Sequence, residues 1–370
     1  MDRRSFLRHS AAVGALPAVT ALLPHPALAD VMAAARALVT KYGSRVTSWD
    51  GPTTGPRAPK GKRIVVLAAD LTNGGVLGVA RGVSEAGKAV GWSIKVIDGA
   101  GSVAGRSAAF GQALALRPDG IVIDGFDAVE QGQSMKAAKA AHIAMVSWHA
   151  SPVIGPDPAV GVAANVSTDP MLVSEVAADW AYLDAKGKPA VIIFTDSTYA
   201  IAIAKAKKMK SVIESLGGTV LEWVDTPIAQ TSTRMPQLTT ALLQKYGKRW
   251  THSLAINDLY FDFMAPSLSA AGIPGEGMPR QVAAGDGSKS AYQRIRTGQY
   301  QAVTVAEPLT LQGWQLVDEL NRALAGQKWS GYVSPLHLVD KANIAFDGGP
   351  QDTFDPGNHY RAAYRKIWGV

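Results

Sequence analysis

The stretch Ile121-Val122-Ile123-Asp124-Gly125-Phe126-Asp127 opens with three apolar β-branched residues and closes on carboxylates, a glycine and an aromatic ring. Pro118-Asp119-Gly120 punctuates it on one side, and a helical pattern starts at Val129 on the other. A run this short and this apolar predicts a strand buried on both faces, as in a parallel sheet covered by helices. Ligands of such sheets sit beyond the carboxyl ends of the strands, which puts Asp127 at the mouth of a site. The same arrangement repeats at Val66-Leu67-Ala68-Ala69-Asp70, Ile192-Ile193-Phe194-Thr195-Asp196, Leu254-Ala255-Ile256-Asn257-Asp258 and Val282-Ala283-Ala284-Gly285-Asp286. Each is an apolar strand ending in an acid or amide, and together these ends can face one cleft.

Working outward, strands and helices alternate from Arg63. Strand 63–69 leads to a helix over 75–90, where Val76, Val79, Val83, Ala86 and Val90 fall at three- and four-residue steps on one face. Strand 93–97, helix 103–116, strand 121–123, helix 129–141 and strand 143–147 complete a doubly wound unit. A Pro-rich break follows at 151–158, and the alternation restarts with strand 161–166 and helix 171–184. It runs on through strands at 190–195, 219–224, 253–257, 281–284 and 302–306. An amphipathic helix spans 309–324, and 334–344 reads as a last strand. The expected fold class is therefore α/β, with two doubly wound parallel-sheet units. The leader 43–62 is rich in Gly, Pro and Thr, and the tail 345–370 holds a short basic-aromatic helix over 360–368.

The chain has 370 residues, enough for two domains with their own cores, and 47% hydrophobic residues, ordinary for a globular protein. Its net charge of +7 is scattered. The densest basic group, Lys205, Lys207, Lys208 and Lys210 on a predicted helix, reads as a solvated face, so no nucleic-acid partner is expected. With no cysteine, disulfides, thiolate metal sites and a lipid anchor on an N-terminal cysteine are excluded. Asn73-Gly74-Gly75-Val76-Leu77-Gly78 lacks the G-x-G-x-x-G spacing, and neither a P-loop nor a G-x-S-x-G elbow occurs. His142, His149, His252, His337 and His359 are isolated, without metal-ligand spacing, and His142 reads as a helix-end partner. Asp258 and Asp262 read as a solvated face and a cap. No metal, cofactor or catalytic residue is expected.

Asp2-Arg3-Arg4-Ser5-Phe6-Leu7-Arg8 resembles a twin-arginine export signal. The apolar stretch 11–23 is too short to span a membrane. Ala27-Leu28-Ala29 fits the small-x-small rule for cleavage after Ala29. The expected location is the periplasm.

Asn73 after the first strand, Arg117-Pro118-Asp119-Gly120-Ile121-Val122-Ile123 followed by Asp127, and Ala138-Lys139-Ala140-Ala141-His142-Ile143-Ala144-Met145-Val146 resemble the type I periplasmic sugar-binding proteins. So do Ala255-Ile256-Asn257-Asp258, Gly285-Asp286-Gly287, Ile295-Arg296-Thr297-Gly298-Gln299-Tyr300 and the strand ending in Glu307-Pro308. The resemblance covers about 62–344. It implies a two-lobed periplasmic-binding-protein fold of type I with a three-segment hinge, near 148–158, 307–308 and 334–338. The first lobe would hold 62–150 and 309–334. The second would hold 151–308 and 335–344. Residues 30–61 and 345–370 would form a leader and a tail.

The resemblance further implies a monomeric solute-binding component that delivers a sugar or polyol to the membrane permease of an ABC importer. A sensor for a membrane receptor and an exported enzyme are the rival readings. Ligand contacts carried over from the family are Asn73, Asp127, Asn257, Asp286 and Glu307, since carboxylates and amides suit hydroxyl groups. Three departures matter. Gly74-Gly75-Val76 stands where aromatics follow the first asparagine, which leaves stacking to Trp148. No arginine opens the helix after Asp196, which brings in Tyr199. Glu307 stands where glutamine is common. The pocket is therefore expected to be acid-rich and poor in arginine, suited to a neutral or amino-substituted ligand rather than an anion.

Overall fold

A computed structural model describes residues 28–370. The export-signal reading of residues 1–29 lies outside them, apart from Leu28 and Ala29 at the start of helix α1 (Leu28–Tyr42). No helix among the described residues is long and apolar enough to cross a membrane.

Two six-stranded sheets form the centres of two lobes. The first contains β1 (Arg63–Ala68), β2 (Ser93–Asp98), β3 (Gly120–Asp124), β4 (Ala144–Trp148), β5 (Gly155–Asp157) and β6 (Val162–Val166), in the order β2-β1-β3-β4-β6-β5. All neighbours pair parallel except the edge strand β5. Every residue of β3 is buried, as its unbroken apolar run predicts. Helices α2 (Gly74–Val90), α3 (Val103–Ala115) and α4 (Gly132–Ala140) connect these strands. The predicted stripe Val76, Val79, Val83, Ala86 and Val90 is the buried face of α2. Asn73 caps that helix by accepting from the Gly75 N–H, and Gly91 in the left-handed region ends it.

The second sheet contains β7 (Ala190–Thr195), β8 (Thr219–Asp225), β9 (His252–Ala255), β10 (Arg280–Ala283), β11 (Val303–Ala306) and β12 (His337–Asp340), in the order β12-β11-β10-β9-β7-β8. Only β12 runs antiparallel. Its helices are α5 (Pro170–Asp184), α6 (Ala200–Ser215), α7 (Thr231–Tyr246), α8 (Ala265–Ala270) and α9 (Lys289–Thr297). The long helix α10 (Leu309–Leu324) returns to the first lobe and packs along α2. Each lobe has its own apolar core.

One boundary differs from the sequence reading. The strand expected to open the second unit, Val162–Val166, completes the first sheet instead. The Pro-rich segment before it is no linker. It forms edge strand β5, folded back on β6. Asn165 fastens the turn: it accepts from Ser147 Oγ at 2.8 Å and Ala150 N at 3.0 Å, and donates to the carbonyls of Ser151 and Val153. The chain therefore leaves the first lobe at 167–169, returns at 307–308 and crosses again at 334–336. The expected passages are 148–158, 307–308 and 334–338. The first observed one lies beyond 148–158, because prolines and glycines mark an edge strand and a linker alike.

The two terminal segments also pass between the lobes. Helix α1 packs on α5, and Val46 N donates to Asp347 on the second-lobe side. Trp49 then packs at a tilt on Tyr332 and edge-to-face on Tyr364, and the carbonyls of Thr54 and Pro56 accept from Arg322 and Asn321 of α10. At the other end, Phe354 belongs to a small core with Tyr292 and Val339, while helix α11 (Tyr360–Trp368) packs against α10. Trp368 stacks on Trp314 at 5.3 Å.

Candidate functional site

The carboxyl ends of both sheets meet across a cavity lined from the first lobe by Asp70, Asn73, Val76 and Trp148. From the second lobe Tyr199, Lys205, Asn257 and Asp286 face it. The two lobes touch around it. Asp286 Oδ2 would lie 2.4 Å from a Cβ at Gly75, so the bare α2 backbone is what lets that carboxylate approach. The Gly-Gly-Val departure thus admits a charged group from the opposite lobe.

Asn73 and Asn257 both line the cavity, and each uses its Oδ1 as a helix cap, on Gly75 N at 2.9 Å and Leu259 N at 3.2 Å. Their Nδ2 groups remain as donors. Trp148 stacks on His149, with ring centroids 3.8 Å apart and planes nearly parallel, and its Nε1 donates to Gln312. Tyr199 opens α6 and accepts from Arg106 Nη1 at 3.4 Å across the cleft. Burial pushes its phenol up to about 12, against the Arg106 charge.

Asp286 is buried, and among the described residues its carboxylate takes no hydrogen bond. Burial pushes its pKa up to about 6, against Lys205 and His149 and with help from Glu307 and Asp258. Asp124, at the end of β3, is fully buried with neither carboxylate oxygen hydrogen-bonded. Burial, then the charge of Asp286, drives its pKa well above the ordinary value.

Two expected contacts stand elsewhere. Asp127 caps the 3₁₀ turn Ala128–Gln131 through Val129 N and accepts from Ala200 N of the other lobe at 3.2 Å. It joins lobes at the rim. Glu307 lies beneath the cavity and accepts from His149 Nε2 at 3.1 Å, Gln312 Nε2 at 2.9 Å and Thr168 N at 3.4 Å. Burial alone would raise its pKa, but His149, Lys205 and Gln312 hold it at about 2. His149, Asp286 and Glu307 offer ligand atoms within 4.8 Å of one another.

Four residues differ from the sequence reading or lie outside it. Lys205 was placed on a solvated face, yet it is 3% exposed and lines the cavity. Ala202, Lys205, Ala206, Met209 and Ile213 form the buried stripe of α6. Their three- and four-residue spacing was the available signal, masked by the neighbouring lysines. Arg106 of α3, held bidentately by Glu130, reaches Tyr199 of the other lobe from outside the cavity lining. The cation of the cavity itself is Lys205. Asp258, read as part of a solvated face, is buried and accepts from Gly287 N, Ser288 N and Gln301, while Asp262 pairs with Arg294. They shape the loop carrying Asp286.

A two-lobed α/β molecule with polar strand ends facing an interlobe cavity defines a solute-binding class rather than a dinucleotide or P-loop fold. The family model described as a periplasmic binding protein domain matches residues 64–328, and the chain belongs to that family. Comparison with curated proteins gave no match. Among solved structures, the chain is similar to a sugar ABC transporter protein from Yersinia enterocolitica subsp. enterocolitica 8081, with 16% identity, TM-score 0.70, and 84% of this chain and 95% of that one covered. It is similar to an ABC transporter solute-binding protein from Agrobacterium vitis bound with α-D-tagatopyranose, at 18% identity, TM-score 0.70 and coverage of 79% and 99%. A second Agrobacterium vitis solute-binding protein, with bound allitol, gives 19% identity, TM-score 0.64 and coverage of 79% and 98%.

Proposed function

We propose that this protein is the periplasmic solute-binding component of an ABC importer and captures a sugar or polyol between its lobes without altering it. The observation that carries this reading is the meeting of donors and a buried acceptor in one cavity: Asn73, Asn257 and Lys205 line it together with Asp286 and Trp148. Hydroxyl groups satisfy both kinds of partner, and an indole suits the apolar face of a sugar. Sugar- and polyol-bound neighbours of the same fold support it.

In this reading Asn73, Trp148, Tyr199, Asn257 and Asp286 touch the ligand. Asp127 and Glu307 act at the rim and floor. Opening occurs about the passages 167–169, 307–308 and 334–336, as motion of near-rigid lobes. Twin-arginine export with cleavage after Ala29 delivers a monomer to the periplasm, where the closed form docks on a membrane permease. The test is a thermal-shift screen of the chain from Asp30 against sugars, polyols and amino sugars, followed by recovery of the bound compound. A higher midpoint with the compound recovered unchanged is expected. A chemically altered compound would favour an enzyme, and no rise with any member would remove the sugar and polyol class.

A further inference from the structure

Helix α6 buries a lysine where its apolar stripe calls for a hydrophobe. Lys205 stands between Ala202 and Met209 on the inward face and is 3% exposed. Among the described residues no carboxylate forms an ion pair with it and no acceptor lies within hydrogen-bonding distance. Glu307 and Asp286 act on its charge from nearby, but neither hydrogen-bonds it, so its N–H donors stay open to a partner entering the cavity. The Nζ is not sealed in the core: Lys205 lines the cavity.

The surrounding backbone is shaped for this head group. Gly285 has φ +95°, and a Cβ there would lie 3.1 Å from Lys205 Nζ and 3.4 Å from Glu307 Oε1. Only glycine combines that conformation with that clearance. Its neighbour Asp286 carries the other unpartnered charge, entering the gap at Gly75. Lys205 and Asp286 thus face one cavity, both more than nine-tenths buried, and do not pair with each other.

We infer that Lys205 is a ligand-binding residue and that Lys205 and Asp286 together read adjacent hydroxyls of a neutral polyhydroxylated ligand. This rests on the solute-binding function proposed above and names its ligand class and an additional contact. A hydroxyl can accept from the ammonium while its neighbour donates to the carboxylate, so a vicinal diol bridges two groups that do not reach each other. A sugar acid would set its carboxylate against Asp286 and Asp70, and an amino sugar would set its ammonium against Lys205. His149 adds no free cation, because Glu307 holds it.

The experiment is calorimetric titration of the full mature chain and of Lys205→Met with neutral aldoses and polyols, their monodeoxy analogues, and the matching aldonic acids. Lys205→Met is expected to bind the best neutral ligand about 10- to 100-fold more weakly, the scale of a hydrogen bond to a charged group. Its ligand-free thermal midpoint should fall only slightly, because Glu307 and Asp286 lose a neighbouring cation. One monodeoxy analogue should lose affinity for the wild type yet lose nothing further in Lys205→Met. Lys205→Gln gives the same comparison with a polar replacement should methionine disturb the fold. Unchanged affinity in both variants, or tighter wild-type binding of an aldonic acid than of its neutral parent, would overturn the inference and leave solute binding standing. Failure of the wild type to bind any neutral polyol would overturn both.

Discussion

Gln312 donates to the Glu307 carboxylate at 2.9 Å and to Ser334 Oγ at 3.1 Å. Glu307 also accepts from Thr168 N. Thr168, Glu307 and Ser334 belong to the three passages between the lobes, so one buried carboxylate and one amide tie all three together. Trp148 and His149, which line the ligand cavity, join the same network, which gives ligand contact a short polar route to the hinge.

Glu307→Gln should destabilise the protein by about 2–4 kcal/mol at pH 7, because it removes the charge from a buried carboxylate that accepts from His149, Gln312 and Thr168. The wild-type carboxyl titrates at about 2 in the folded protein and near 4.3 when unfolded. Its contribution is therefore present above about pH 4 and is lost as the pH falls toward 2. Denaturation midpoints of both proteins at pH 7 and at pH 3 should converge at the lower value.

Gly75→Ala should separate closure from stability. Alanine favours the α2 helix over glycine, but its methyl would meet Asp286 Oδ2 at 2.4 Å in the closed form. The variant is expected to keep its thermal midpoint, scatter X-rays as a more open particle with ligand present, and bind at least about tenfold more weakly.

Ligand affinity should be pH-dependent through Asp286, whose carboxyl is pushed up to about 6 chiefly by burial. Above pH 7 the carboxylate is present and affinity is flat. Below 6 the acceptor is protonated, and affinity should fall by up to about tenfold per pH unit. The folded value lies above the unfolded one, so ionisation between about 4 and 6 also lowers the stability of the ligand-free protein. Asp286→Asn should bind weakly throughout and flatten the profile in titration calorimetry.

Tyr199→Phe removes the acceptor for Arg106 at the rim and should weaken binding only about two- to fivefold, the scale of one exchanged hydrogen bond. Arg106→Ala strands Glu130 and should weaken it further. Stopped-flow measurement should place both losses in the off-rate.

Trp368→Ala should lower stability by about 3–5 kcal/mol. The ring is 1% exposed, stacks on Trp314 and donates from Nε1 to Asp318 of α10 at 2.8 Å. Urea titration of the ligand-free protein measures it. Ligand affinity should change little, because the ring lies in the first-lobe core, outside the cavity lining.

Local pattern carries a great deal here. The apolar run at 121–123, the stripe Val76 to Val90 and the acids and amides at strand ends come from neighbours in the chain, and alternation of period sets element type without any long-range contact. That is how the two α/β units could be read, while the return of α10 and the choice of Asn73, Asn257 and Asp286 come from the family resemblance. Residues whose meaning depends on a distant partner could not. Asp127 and Glu307 end strands just as Asp286 does, yet one caps a turn and the other anchors the hinge.

Residue order alone sufficed for two consecutive α/β units with polar strand ends, because strand and helix periodicity are local properties. Only the tertiary structure decided that β6 belongs to the first sheet, that Lys205 turns inward among a run of solvated lysines, and that Arg106 reaches Tyr199. Sheet membership and charge burial depend on what packs opposite a residue, and that partner lies up to hundreds of residues away: Glu307 meets His149 at a separation of 158 positions.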